Sequence, residues 1–377
     1  MSLITYLTKI QFEPGAVRSL PDELKLLDAK NPLVITDKGI VAAGLIARVI
    51  EAGRLSVSTP VFDGTPENPT EEAVLAARDQ FVAAKCDAII AVGGGSALDL
   101  AKAVSLLATH PEPLAQYAAI LGGVEKITAK KPPVIAIPTT AGTGSEVGRA
   151  ALVTLNDGRK LGFISPHMIP TVAICDPELT VGLPARLTAA TGMDTVTHCI
   201  ETFLSPRYNP PADAIALDGL GRAMGALRKV VANGKDIAAR TEMMMAALQG
   251  GLTFQKGLGA VHGMSHPLGG LKSPRLHHGT LNAVILPIVL RFNEGHAQAK
   301  YERLRAVLGL GTKSDLADAF DKLNGDLGLP RSLAAMGVPA ACIPAMVEGA
   351  VKDHSTPTNP RPVGAPEYAQ LFREAMQ

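Results

Sequence analysis

Through the first half of the chain, short apolar runs of strand type alternate with helical stretches, and this constrains the fold more than any other feature. Leu33-Val34-Ile35-Thr36 ends at Asp37-Lys38-Gly39 and gives way to a helical stretch from Ala42 to Ala52. Val57 to Phe62 reads as a second strand, closed by Asp63-Gly64-Thr65-Pro66, and Glu71 to Ala84 as the next helix. Ala88 to Val92 and Val134 to Ile137 are the third and fourth strands. Strands separated by helices imply a parallel sheet of Rossmann-like architecture. After Pro184 the pattern changes to long Ala/Leu/Met-rich segments, among them Ala212 to Val231, Ile237 to Leu252, Leu281 to Arg291, Ala299 to Leu308 and Ser314 to Leu327. The expectation is an α/β domain over 1–183 and an all-helical one over 184–377.

Composition narrows the class. A chain of 377 residues has room for two domains with their own cores. A net charge of +1 gives no pull toward nucleic acid or anionic membrane. No apolar run is long enough to span a bilayer, and Met1-Ser2-Leu3-Ile4-Thr5-Tyr6 has neither the basic nor the apolar block of a signal peptide. Cys86, Cys175, Cys199 and Cys342 are widely spaced, which reads as reduced thiols in a cytoplasmic protein.

Two turns stand at strand ends. Gly93-Gly94-Gly95-Ser96 follows the third strand, and Ala97 to Ala103 continues as helix. Residues without Cβ let a ligand approach the backbone, Ser96 can cap the helix, and the first-turn N–H groups suit a pyrophosphate. The same sequence also makes a mere tight turn, and it is not the G-x-G-x-x-G fingerprint. Pro138-Thr139-Thr140-Ala141-Gly142-Thr143-Gly144-Ser145-Glu146 follows the fourth strand. Two such loops favour a nucleotide crevice. Asp37, at the end of the first strand, suits ribose hydroxyls and would repel a 2′-phosphate; a turn-forming Asp is the other reading.

In Gly192 to Glu201, Asp194 and His198 lie four residues apart and leave the same face of a helix. That is half of a divalent-metal site, or a hydrogen-bonded pair on a solvated face. Downstream come His262-Gly263-Met264-Ser265-His266-Pro267 and His277-His278-Gly279. These segments hold five of the chain's nine histidines.

Taken together, these pieces resemble the iron-containing (group III) alcohol dehydrogenase family nearly end to end. The resemblance rests on Phe12-Glu13-Pro14-Gly15-Ala16, the two turns with Asp99 and Lys102, Asp176-Pro177, and Gly192-Met193-Asp194 with His198 and Glu201. It continues through His262 to Gly269, His278-Gly279 and Asn359-Pro360-Arg361. It implies a dehydroquinate synthase-like fold, a Rossmann-like NAD domain followed by an all-α metal domain. It carries the metal ligands onto Asp194, His198, His262 and His278, with Fe2+ expected and Zn2+ as the alternative. His266 falls beside the nicotinamide as the catalytic proton acceptor, and His277 has no counterpart. The cofactor pattern falls on Asp37, Gly94, Gly95, Ser96, Asp99, Thr139, Thr140, Ser145, Lys160 and Leu179. A homodimer is implied by the same analogy.

Gly148-Arg149 after the second turn, the basic loop from Gly270 to Leu276, and Phe254 to Gly259 look most like the 4-hydroxybutyrate dehydrogenase branch. The implied reaction interconverts a short ω-hydroxy acid and its semialdehyde with NAD. The alternatives are a general short-chain alcohol or diol dehydrogenase, or aldehyde reductase, of the same family, and a dehydroquinate synthase-like lyase. A carboxylate-bearing alcohol or aldehyde substrate calls for a cation, and Arg149, Lys256, Lys272 and Arg275 are the candidates.

Overall fold

A computed structural model describes residues 4, 6 and 8–377. Met1, Ser2, Leu3, Thr5 and Leu7, on which part of the signal-peptide reading rests, lie outside the described residues. The chain divides into two compact units. One comprises Tyr6–Thr140 and Gly144–Leu183; the other includes Ala141–Thr143 and Pro184–Gln377.

The first unit contains β1 (Lys9–Phe12), α1 (Leu20–Leu26), β2 (Pro32–Ile35), α2 (Lys38–Ala42), α3 (Leu45–Ala52), β3 (Val61–Phe62) and α4 (Glu71–Ala83). There follow β4 (Ala88–Gly93), α5 (Gly95–Leu107), β5 (Val134–Pro138), β6 (Ala150–Thr154), β7 (Lys160–Ile164) and β8 (Val172–Cys175). Six strands form one parallel sheet in the order β1-β8-β5-β4-β2-β3, and β6 and β7 pair as a separate antiparallel ribbon. Alternate residues of the sheet feed two cores. Leu33, Ile35, Ile89, Ala91, Val134 and Ala136 pack on one face. Val34, Ile90, Val92, Ile135, Ile137 and Val172 pack on the other.

The strand order places the functional turns. From β2 the chain crosses outward to β3, returns to β4 beside β2, and then proceeds the opposite way to β5. The C-terminal ends of β2 and β4 therefore flank a reversal of strand order, where ligands of open α/β sheets bind. Asp37 and Gly93–Gly95 occupy those two ends.

Three expectations need adjustment. The second strand covers only Val61–Phe62 of the stretch from Val57, because this edge strand pairs on one side and Val57 is 98% exposed. The helix expected from Ala42 to Ala52 is two helices, broken at Ala43-Gly44. Ser96 does not cap α5: the N-cap is Gly94, without a side-chain cap, and the Ser96 hydroxyl donates to the Glu67 carbonyl.

The second unit contains α6 (Ala185–Leu204), α7 (Pro210–Ala232), α8 (Ile237–Leu252), α9 (Ala260–Gly269) and α10 (His278–Asn293). It continues with α11 (Gln298–Val307), α12 (Leu316–Asp326), α13 (Ile343–Lys352) and α14 (Ala365–Ala375), and none of its described residues forms a strand. Every residue of α6 from Thr188 to Leu204 is buried, so no face of it is solvated. Its C-terminal carbonyls are closed by two ammonium groups. Lys256 donates to Phe203 O at 3.1 Å, and Lys300 to Phe203 O at 2.8 Å and Ser205 O at 2.6 Å. Cations there also oppose the negative end of the helix dipole. No helix among the described residues is long and apolar enough to cross a membrane.

Candidate active site

Asp194 and His198 leave one face of α6, with only 2% and 3% of their surfaces exposed. That burial rules out the solvated pair. His262 comes from the first turn of α9 and His278 opens α10. The approach of α10 to α6 depends on Gly279, where a Cβ would stand 2.2 Å from the Ala190 carbonyl oxygen. Asp194 Oδ1 lies 3.4 Å from His198 Nε2, 3.6 Å from His278 Nε2 and 3.8 Å from His262 Nε2. All four donor atoms fall within 4.8 Å of one another.

Around these donors the polar groups are arranged to hold them. Glu201 follows Asp194 and His198 on the same helix face. Its carboxylate accepts from Val261 N at 2.7 Å and from His262 Nδ1 at 2.6 Å. It thus caps α9 and fixes the proton of His262 on Nδ1, so that Nε2 turns a lone pair toward Asp194. Burial pushes Glu201 up to about 7 against the N–H bonds that hold it down. Burial and the neighbouring imidazoles of His198 and His266 push His262 well below the usual histidine range, so it is a neutral donor. Burial acts to raise Asp194, but the imidazoles around it and Asn282 outweigh that and hold it at about 2. Asn282 Nδ2 donates to Asp194 Oδ1 at 2.7 Å and lies 3.2 Å from Nε2 of both His262 and His278. An ionised carboxylate and imidazole nitrogens converging in a buried space suit one divalent ion of borderline type. Glu201→Gln should keep the fold and weaken metal affinity by about tenfold. Competition with a chelator measures this, and equal affinity in both proteins would remove Glu201 as an anchor.

His266 stands beside the four. Its Nδ1 donates to Asp353 Oδ2 at 2.8 Å, which leaves Nε2 as the acceptor. Its ring centroid is 5.6 Å from that of His278 and 5.5 Å from that of His262. His277 is the N-cap residue of α10, outside the cluster.

In the other unit the structure joins most of the expected cofactor residues. Asp37 Oδ1 caps α2 through Ile40 N at 3.0 Å, the turn role weighed above. Its Oδ2 remains beside the glycine turn, 3.6 Å from where a Gly93 Cβ would stand. Gly93 is required by the turn itself, since its Cβ would meet Ala97 Cβ at 2.8 Å. At Gly94 a Cβ would make only ordinary contacts with Thr140 at 3.5 Å, so protein packing does not demand glycine there. That open cradle at an uncapped helix end fits a pyrophosphate. Thr139 lies alongside, its N bonded to Gly93 O at 3.0 Å and its buried hydroxyl without a hydrogen-bond partner.

Asp99 and Ser145 form an inward-facing network. Ser145 Oγ donates to Asp99 Oδ1 at 2.5 Å and accepts from Lys102 Nζ at 2.8 Å. Lys160 donates to Asn68 Oδ1 at 2.9 Å; burial pulls its pKa down and the Asp99 charge opposes this. Leu179 is a core residue, 1% exposed among the apolar side chains under the sheet.

The profile of the iron-containing alcohol dehydrogenases matches residues 8–177, and that of the family's C-terminal region matches residues 188–376. The chain belongs to the iron-containing alcohol dehydrogenase family. It is 50% identical to the 4-hydroxybutyrate dehydrogenase of Cupriavidus necator over the whole of both chains. It is 39% identical to the 1,3-propanediol dehydrogenase of Citrobacter freundii, covering 97% of this chain and 96% of that one. Among solved structures, a 1,3-propanediol oxidoreductase superposes with a TM-score of 0.93 at 36% identity, over 99% of this chain and all of the other. The sulfoacetaldehyde reductase of Bifidobacterium kashiwanohense, solved with NAD+, superposes with a TM-score of 0.89 at 27% identity, over 100% and 98% of the chains. This dehydrogenase is an NAD-linked oxidoreductase acting on a small-molecule alcohol.

The roles of Glu201, Asn282 and Asp353 escaped the sequence reading. Glu201 alone left a local signal, seven residues after Asp194 on the same helix face.

Proposed function

We propose that the enzyme interconverts 4-hydroxybutyrate and succinate semialdehyde with NAD, using one divalent ion held by Asp194, His198, His262 and His278. The observation that carries the substrate is the 50% identity, end to end, with a 4-hydroxybutyrate dehydrogenase. Fe2+ is the first choice of ion and Zn2+ the alternative. Residues 1–183 are read as the NAD-binding domain and 184–377 as the metal-binding catalytic domain of a cytoplasmic homodimer. When bound, the ion supplies Lewis acidity to the substrate oxygen and the nicotinamide exchanges hydride. The chain's own residues do the rest. Glu201 and Asn282 hold the donors in place, and His266 accepts the hydroxyl proton on Nε2 while Asp353 fixes its tautomer.

On the other unit, Gly94, Gly95 and Ser96 present the helix end to the pyrophosphate. Thr139, Thr140 and Lys160 border the cofactor, Asp99 and Ser145 brace the second turn, and Leu179 supports it from the core. Asp37 Oδ2 meets the ribose hydroxyls. A 2′-phosphate placed against that carboxylate is repelled, so NAD is preferred over NADP. Asp37→Gly should narrow the difference between the two cofactors. Equal kcat/KM with NAD and NADP in the native enzyme would remove Asp37 as the discriminator.

Four cations are candidates for the substrate carboxylate. Lys256 is buried and paired with Asp213 while it closes the end of α6. Arg149 stays a candidate on the segment that follows the second turn. Lys272 and Arg275 are exposed on the segment joining α9 to α10, the helices that bring His262 and His278. Arg275, with its bidentate fork, is preferred. A charge-assisted contact of about 1.5–3 kcal/mol sets the scale. So kcat/KM for 4-hydroxybutyrate should exceed that for 1-butanol by at least about tenfold, and Arg275→Ala should remove that margin. If 1-butanol or a short diol serves as well, a general alcohol dehydrogenase remains, the reading favoured by the 39% identity with a 1,3-propanediol dehydrogenase. Failure to form net NADH from any alcohol would leave the lyase.

A further inference from the structure

Three imidazoles form a column in the helical unit. His278 and His266 stack with centroids 5.6 Å apart and planes 8° from parallel; His266 and His354 stack at 5.3 Å and 16°. The first ring belongs to the metal quartet. The third does not, and no role in the reaction uses it. Asp353 joins the second and third. Its Oδ2 accepts from His266 Nδ1 at 2.8 Å, and its Oδ1 lies 3.7 Å from His354 Nδ1. One donor atom from each of His266, Asp353 and His354 falls within 4.8 Å of the other two. The His266 and Asp353 side chains are 8% and 11% exposed, whereas that of His354 is 39% exposed, so the trio opens to water on the His354 side.

We propose that His266 Nδ1, the Asp353 carboxylate and His354 Nδ1 form a second, weaker site for a borderline divalent cation such as Zn2+, and that filling it inhibits the enzyme. Two imidazoles and a carboxylate are a donor set that zinc accepts, and three protein ligands leave a coordination position for water. The site is weaker for two reasons. The cation must replace the hydrogen bond between His266 and Asp353. It also sits one stacked ring away from a quartet that holds an ion of like charge, and that repulsion is strong where water is scarce. Inhibition follows because a neutral ring that binds a cation through Nδ1 gives up the proton there and carries its one N–H on Nε2, the atom that would accept the hydroxyl proton. This last step rests on the role given to His266 above; the binding itself does not.

The test uses the whole enzyme loaded with one Zn2+ per chain. Zinc is then added under equilibrium dialysis, and bound metal and NADH formation are followed together. The wild type should show a second, weaker class of site whose filling parallels loss of activity. His354→Ala should keep the tight ion and the activity at one zinc per chain. It should lose the weak class and require at least about tenfold more zinc for the same inhibition. His278→Ala should lose the tight class and keep the weak one, so a wrong quartet and a wrong trio give different results. A single class of site in the wild type, binding without inhibition, or equal zinc sensitivity of the wild type and His354→Ala would each overturn the proposal.

Discussion

His278→Ala is expected to give a folded protein that neither retains its metal nor turns over alcohol. The side chain supplies one of four converging donors, and at 27% exposure it is the least buried of them. Water can enter where it stood, so the hydration lost by Asp194 is partly restored and the helices need not shift. His198→Ala removes an equivalent donor at a higher structural cost. That ring is 4% exposed, stacks on His262 at 4.8 Å and meets Phe254 edge-on at 4.7 Å. With the metal gone, the Lewis acid acting on the substrate oxygen goes too. That is worth several kcal/mol of transition-state charge stabilisation, or at least about a thousandfold in kcat. Metal analysis after dialysis, circular dichroism and NADH formation read the three parts separately. Full metal occupancy in either variant would sink the quartet.

Most of this architecture could be read from the order of residues. The three central strands anticipated were continuous apolar runs stopped by turn residues, and such runs belong to parallel strands buried on both faces. Three of the strands that escaped lacked that signature. Lys9–Phe12 is an edge strand with polar Lys9 and Gln11, and β6 and β7 are a half-buried ribbon outside the main sheet. Val172–Cys175 is the exception: it carries the same buried apolar signature as Pro32–Ile35 and could have been read. In the helical unit α9 carries four small or glycine positions, Pro267 and two histidines in ten residues, and it is buried nearly all round. A helix wrapped on every side shows no amphipathic period.

The site divides along the same line. Asp194 and His198 are legible because helical spacing makes neighbours of residues four apart. His262, His266 and His278 were placed by likeness to a family. The groups that orient them come from far along the chain. Glu201 reaches His262 across 61 positions, Asp353 reaches His266 across 87, and Asn282 reaches Asp194 across 88. No local rule pairs a glutamate with a histidine sixty residues away. Only the packing of α10 on α6 and α9 and of α13 on α9, with contacts such as Gly279 on Ala190, brings them together.

His266→Ala should retain one ion per chain and lose about a hundredfold in kcat for alcohol oxidation at neutral pH. His266 follows His262 by four positions on α9, yet its Nδ1 is bonded to Asp353 and its ring lies outside the four converging donors. Removing it takes away a proton acceptor and leaves the metal's donor set whole. Oxidation releases a proton from the hydroxyl group, so the deficit should be largest where solvent base is scarce and should shrink as the pH is raised. Asp353→Asn separates position from presence. The imidazole remains, but its neighbour can now donate as well as accept, so the proton is no longer held on Nδ1. A smaller loss, about tenfold, is expected, again with the metal in place. Metal content decides the meaning of the kinetic result. If His266→Ala loses its ion together with its activity, His266 is a ligand and the proton must leave by another route.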